Sequence, residues 1–180
     1  MAPTVRRINP KTRARDLIGR FGISRPPVPV DDVAARLGIA VRYVPLEDDL
    51  SGMIFLKDGP VVAVNSLHHP NRRRFTLAHE IGHFELHLKE IGREVHVDKK
   101  FLALARDPRS SVGFDPKEIE ANSFAAELLV PRPMLLEQLH GVVVDIEDDQ
   151  LIKDLASRFK VSEQMMSFRI GELVESQFRR

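Results

Sequence analysis

Residues 74–87 read Arg74-Phe75-Thr76-Leu77-Ala78-His79-Glu80-Ile81-Gly82-His83-Phe84-Glu85-Leu86-His87, and they decide how the rest of the chain is read. Leu77, Ile81, Phe84 and Leu88 recur at spacings of four, three and four, which is one apolar stripe of an amphipathic helix. Pro70 before the segment and Gly92 after it punctuate that helix. Thr76, Glu80, His83 and His87 fall on a neighbouring stripe with His79 at its edge, while Arg74, Glu85 and Lys89 fall on the face expected to be wet. His79 and His83, four apart, project from one face about one turn apart. Two imidazoles so placed can share one metal ion at about 2 Å. Glu80 points to the side of that pair, where it can take a proton from a water held there. The H-E-x-x-H spacing is the short pattern of zinc-dependent peptidases.

Two histidines do not hold a catalytic zinc alone; a third protein ligand is needed, with the fourth position left to water. The sequence offers His87, His96, Glu118, Glu120 and Glu127. Residues 115–129, Asp115-Pro116-Lys117-Glu118-Ile119-Glu120-Ala121-Asn122-Ser123-Phe124-Ala125-Ala126-Glu127-Leu128-Leu129, read as a second helix. Asp115 suits its N-cap, Pro116 its first position, and Glu118 the acid of a capping box. Pro131 ends it. Glu120 shares a face with Phe124, Glu127 and Leu128, and an acid on an inward face needs a compensating partner. A metal ion on the first helix supplies one, so Glu120 is the expected third ligand. Glu127 is read either as orienting one of the histidines or as an ion-paired or solvated acid. His87 follows His83 with no glycine to bend the chain, so it is expected to pack beside the site rather than to ligate. His96, in an expected loop, is the outside alternative.

The chain resembles the ImmA/IrrE family of metallopeptidases. The residues that carry the resemblance are Val64-Asn65-Ser66, the stretch Arg74 to His87, and Glu120-Ala121-Asn122-Ser123-Phe124-Ala125-Ala126-Glu127-Leu128-Leu129-Val130-Pro131. A weaker match continues at Leu155 to Ser162 and Met166 to Arg169. The resemblance implies that His79 and His83 are zinc ligands, Glu80 the general base, and Glu120 the third ligand. It also implies a protein substrate, since members commonly cleave a helix-turn-helix repressor, and others sit in toxin–antitoxin-like pairs. Manganese or another divalent ion is an alternative to zinc. The charged stretch from Glu90 to Phe114 departs from the family pattern. It is read either as a substrate lid or as a surface insertion.

Composition fits this reading. A chain of 180 residues forms one compact domain with at most a small appendage. We divide it into a metallopeptidase-like domain over 1–145 and a helical, helix-turn-helix-like extension over 146–180. A formal net charge of +1 gives no electrostatic case for nucleic-acid binding. The absence of cysteine excludes thiolate ligands and leaves histidine and carboxylate. No segment has the length and apolarity of a membrane span, and the basic start lacks a signal-peptide core, so the cytoplasm is the expected location.

The remaining pattern is coarse. Residues 11–22 and Val30 to Leu37 read as helices closed by Gly22 and Gly38. Ile39 to Val44, Gly52 to Leu56 and Val61 to Val64 read as strands, with Lys57-Asp58-Gly59 as a hairpin signal. The expected class is therefore α+β: zincin-like helices beside a small antiparallel sheet, followed by a helical C-terminal region. Such a sheet either holds an extended substrate by strand addition or only covers the helices. Arg72, Arg73 and Arg74 are adjacent and point in three directions, so they make no single basic patch. In the last region Arg158, Lys160 and Arg169 could touch phosphates, but Glu163, Glu172 and Glu175 oppose DNA, so packing or partner binding is the expected role. Tyr43, the only tyrosine, is a candidate oxyanion donor with a core or surface role as the plainer reading. The competing functional class is a catalytically silent metal-binding regulator acting through protein or DNA. An intact Glu80 argues against it.

Overall fold

Asn9 starts the first helix by accepting from Thr12 N through its side-chain oxygen, with Pro10 at the first helical position. This computed structural model describes residues 9–56, 59–91, 96–98, 115–141 and 148–178. In chain order the elements are α1 (Pro10–Arg20), α2 (Val30–Arg36), β1 (Ala40–Val44), β2 (Gly52–Phe55), β3 (Val61–Asn65), α3 (Pro70–Ile91), β4 (His96–Asp98), α4 (Pro116–Leu129), α5 (Arg132–Gln138), α6 (Asp149–Phe159) and α7 (Glu163–Phe178). The class is α+β, as expected. Among the described residues no helix is long and apolar enough to cross a membrane.

The sheet needs one correction. Its order is β1-β3-β2-β4, and it is mixed rather than antiparallel. β2 and β3 pair antiparallel with Ile54 opposite Val62, as the hairpin signal predicts. β1, however, pairs parallel to β3. The chain leaves β1 on one side of β3 and enters β2 on the other, so residues 45–51 must cross the end of β3. Asn65 makes that crossing possible. Its amide donates to the carbonyls of Glu47 and Leu50, at 3.2 and 2.9 Å, and its oxygen accepts from Leu67 N at 3.1 Å. A buried amide with these partners satisfies a backbone that no strand would pair.

α3 runs through the middle of the molecule. Every residue from Phe75 to His83 is buried, so the helix is enclosed on all sides rather than lying on a surface. The face expected to be wet is not wet throughout. Glu85 pairs with Arg13 of α1 at 2.6 Å, and Arg74 donates to Val28 O at 2.8 Å and to Lys160 O at 3.2 Å. Burial lowers the Arg74 pKa, with Asp31 opposing that shift. The three adjacent arginines diverge as expected: Arg72 donates to Ser51 Oγ, while Arg73 lies 5.6 Å from the Tyr43 ring centre.

α4 crosses α3 in close contact, and α1 packs on α4. Gly82 sets the distance between α3 and α4. A side-chain carbon there would lie 3.1 Å from Ala121 O and 3.1 Å from the Phe124 ring. α6 and α7 form a helix pair joined at Lys160, which adopts a left-handed φ of 54°. Ser162 Oγ caps α7 by accepting from Met165 N. Ile152, Leu155, Phe159, Met166 and Ile170 from this pair belong to the same buried cluster as Leu77, Ile81, Phe124 and Leu128.

Candidate metal centre

α3 and α4 bring together the polar side chains that the core would otherwise exclude. His79, Glu80, His83 and His87 are all buried on α3, and Glu80 is wholly so. His79 Nε2 and His83 Nε2 lie 2.9 Å apart. Glu118 reaches both, its Oε2 3.2 Å from His79 Nε2 and its Oε1 3.2 Å from His83 Nε2. One ligand atom from each of these three residues lies within 4.8 Å of the others.

Glu120, the expected third ligand, is found beside His87. Its Oε2 lies 2.9 Å from His87 Nε2, one turn further along α3. Glu118 and Glu120 flank the buried Ala121-Ala125-Leu128 stripe of α4 from opposite sides. Both edges therefore meet α3, and the crossing decides which acid faces which histidine. Asp115 still caps α4, through Lys117 N at 2.9 Å, but the Glu118 carboxylate is turned to the imidazoles. Among the described residues the cluster of possible ligands does not include His87. His96 opens β4 opposite Ile54. The proposed lid over 90–114 falls mostly outside the described residues.

The donor set fits a divalent cation. His79 Nδ1 lies 2.9 Å from Asn122 Oδ1. An amide oxygen only accepts, so Nδ1 carries the ring proton and Nε2 presents a lone pair. The 3.2 Å approach of Glu118 Oε2 to that nitrogen is then acceptor to acceptor, which a cation between them converts into attraction. Two imidazole nitrogens and one carboxylate, with a position left open, are a donor set zinc takes in hydrolytic sites.

Glu80 is positioned by a close approach that the sequence reading missed. A side-chain carbon on Gly52, the first residue of β2, would lie 2.5 Å from Thr76 Cγ2 and 3.2 Å from Glu80 Oε1. The strand backbone can therefore lie against the α3 turn that carries Glu80 only where β2 has no side chain. The signal for it was a glycine at the start of an apolar run.

Two other candidates lie elsewhere. Tyr43 donates to Asp31 Oδ1 at 2.6 Å on β1, the sheet edge opposite β4. Burial, reinforced by Asp31, raises its pKa well above the ordinary phenol value. Glu127 is ion-paired, and its partners among the described residues are arginines. Its Oε2 accepts from buried Arg169 Nη2 at 2.5 Å, and its Oε1 accepts from Arg132 N at 3.1 Å. Arg169 also donates to Val130 O at 2.8 Å and pairs with Glu172, so it ties α7 to α4 and does not face phosphates.

A family model described as the IrrE N-terminal-like domain, peptidase M78, matches residues 34–171. The radiation response metalloprotease IrrE of Deinococcus radiodurans is 28% identical over 164 residues, covering 90% of this chain and 46% of that protein. The chain thus spans about half the length of this curated relative. Among solved structures, a Mycobacterium tuberculosis transcriptional regulator superposes with a TM-score of 0.56 at 17% identity, over 87% of this chain and 44% of that one. At that identity the match speaks for the fold alone.

Proposed function

The chain belongs to the peptidase M78 family, a family of metallopeptidase-type domains, and from that premise we propose that it is a zinc-dependent endopeptidase. The observation that carries the reading is the convergence of His79, His83 and Glu118 beside wholly buried Glu80. In this reading His79, His83 and Glu118 hold the metal, and Asn122 keeps His79 in the ligating tautomer. A divalent cation in that cradle supplies Lewis acidity, which brings the pKa of a water toward about 7 and polarises a peptide carbonyl. Glu80 takes the proton from the attacking water and returns it to the departing amine. Gly52 lets β2 close one side of Glu80, and the buried helix walls keep that proton transfer away from bulk solvent.

The substrate in this reading is a protein, specifically a helix-turn-helix repressor or antitoxin-like partner whose cleavage relieves repression. Residues 1–145 carry the chemistry, and the helical end over 146–180 is available for partner contact. With Arg169 buried against Glu127, that end has lost one of the cations a phosphate backbone would need. We place the reaction in the cytoplasm. The test is to incubate the zinc-loaded chain with the repressor encoded beside its gene and to map fragments by mass spectrometry. Cleavage at one or a few bonds by the wild type, lost in Glu80→Gln, is the expected result. Zinc binding without cleavage of that partner or any other protein would favour the silent regulator instead.

A further inference from the structure

We propose that His87 and Glu120 act in series as a positioning relay that fixes the tautomer of His83 and strengthens its hold on the metal; this rests on the zinc reading above. His83 Nδ1 lies 3.3 Å from His87 Nδ1, and His87 Nε2 lies 2.9 Å from Glu120 Oε2. The order of donors follows from the far end. A carboxylate accepts, so His87 Nε2 carries the proton and gives it to Glu120 as a hydrogen bond. Neutral His87 then has a lone pair on Nδ1, which accepts from His83 Nδ1–H. His83 Nε2 is left as a lone pair facing His79 and Glu118.

The relay explains three features together. His87 is 4% exposed on a helix where a leucine would pack as well. Glu120 lies on α4 away from the two metal-site imidazoles, yet its carboxylate is turned into the protein. Finally, the two ligating histidines have unlike outer partners. His79 leans on the neutral amide of Asn122, whereas His83 leans on an imidazole backed by a carboxylate. Such a backing raises ligand basicity, so His83 is the stronger of the two donors.

The test is zinc affinity of the full chain, measured by competition with a chromogenic chelator, for the wild type, His87→Leu, Glu120→Ala, Glu120→Gln and the double variant His87→Leu/Glu120→Ala. Leucine matches histidine closely in volume, so packing is conserved while both ring nitrogens are removed. His87→Leu and Glu120→Ala should each weaken zinc by about 10–100-fold. Glu120→Gln, which keeps an acceptor but loses the charge, should fall between the wild type and Glu120→Ala. Because the two residues act in series, the double variant should bind no more weakly than His87→Leu alone. Wild-type affinity in His87→Leu would overturn the relay, and so would additive losses in the double variant. Nitrogen-15 spectra of the zinc-loaded wild type give an independent reading that no variant's folding can disturb. They should show the His83 proton on Nδ1 and the His87 proton on Nε2, and the reverse assignment would also overturn it. A wild-type chain that binds no divalent metal would instead bring down the zinc reading beneath.

Discussion

Glu118 in the first turn of α4 and Glu127 near its end are both turned into the protein, yet they meet different company. Glu127 meets Arg169, a permanent cation at 2.5 Å, together with the amide of Arg132. Its charge is neutralised by the fold itself, and the pair fastens α7 to α4. Glu118 meets two imidazole nitrogens, and the outer contact of at least one of them leaves it proton-free on the inner side. The lesson is that burial of an acid does not by itself mark a reactive site. What marks it is convergence with other acceptors, an arrangement that an added cation makes favourable.

The largest effect that separates the two ends belongs to chemistry. Glu80→Gln should retain zinc and lose cleavage of the protein partner by about 10³-fold, since proton transfer is removed while the donor set is kept. Parallel metal analysis and fragment mapping check this, and wild-type cleavage by the variant would remove Glu80 from the mechanism. The next effect belongs to the other end. Arg169→Ala leaves Glu127 buried with the Arg132 amide and a longer 3.4 Å ion-pair contact from half-exposed Arg15, and should cost about 3–5 kcal/mol in urea unfolding. Its folded fraction should still bind zinc, because the acid it strands is not a ligand.

A smaller effect should fall on both ends at once. Gly82→Ala pushes α3 from α4 at Ala121 and Phe124, and overpacking of this kind costs about 1–3 kcal/mol. Because the same spacing brings Glu118 to the imidazoles, zinc affinity should fall with stability, which a chelator titration would show. Tyr43→Phe should do least. It removes a half-exposed bond to Asp31, about 1 kcal/mol or less, and should leave cleavage rates unchanged. A large loss of rate in that variant would reopen Tyr43 as a substrate contact.

The His79-Glu80-His83 part of the site was legible because helical spacing is a local property: residues four apart share a face in any α-helix. The acid that joins the two imidazoles was not legible in the same way. Glu118 and Glu120 both flank the buried stripe of α4, and only the angle and height at which α4 crosses α3 separates them. Gly82 lets the two helices approach closely there, and a missing side chain carries no periodic signal. The hairpin of β2 and β3 was read from its turn residues. The parallel placement of β1 was not, because it depends on Asn65 satisfying the crossing segment through contacts fifteen or more residues away. Arg169 looked available for phosphate because charge alone suggests exposure; its burial follows from Glu127, forty-two residues away.

The central claim is that the metal is held by His79, His83 and Glu118, with Glu120 one step outside. Its most direct test is zinc stoichiometry of purified Glu118→Ala and Glu120→Ala, measured by elemental analysis after saturation with zinc and removal of excess. Glu118→Ala should come through nearly empty, while Glu120→Ala, weakened by only about 10–100-fold, should remain loaded. An empty Glu120→Ala beside a fully loaded Glu118→Ala would contradict it.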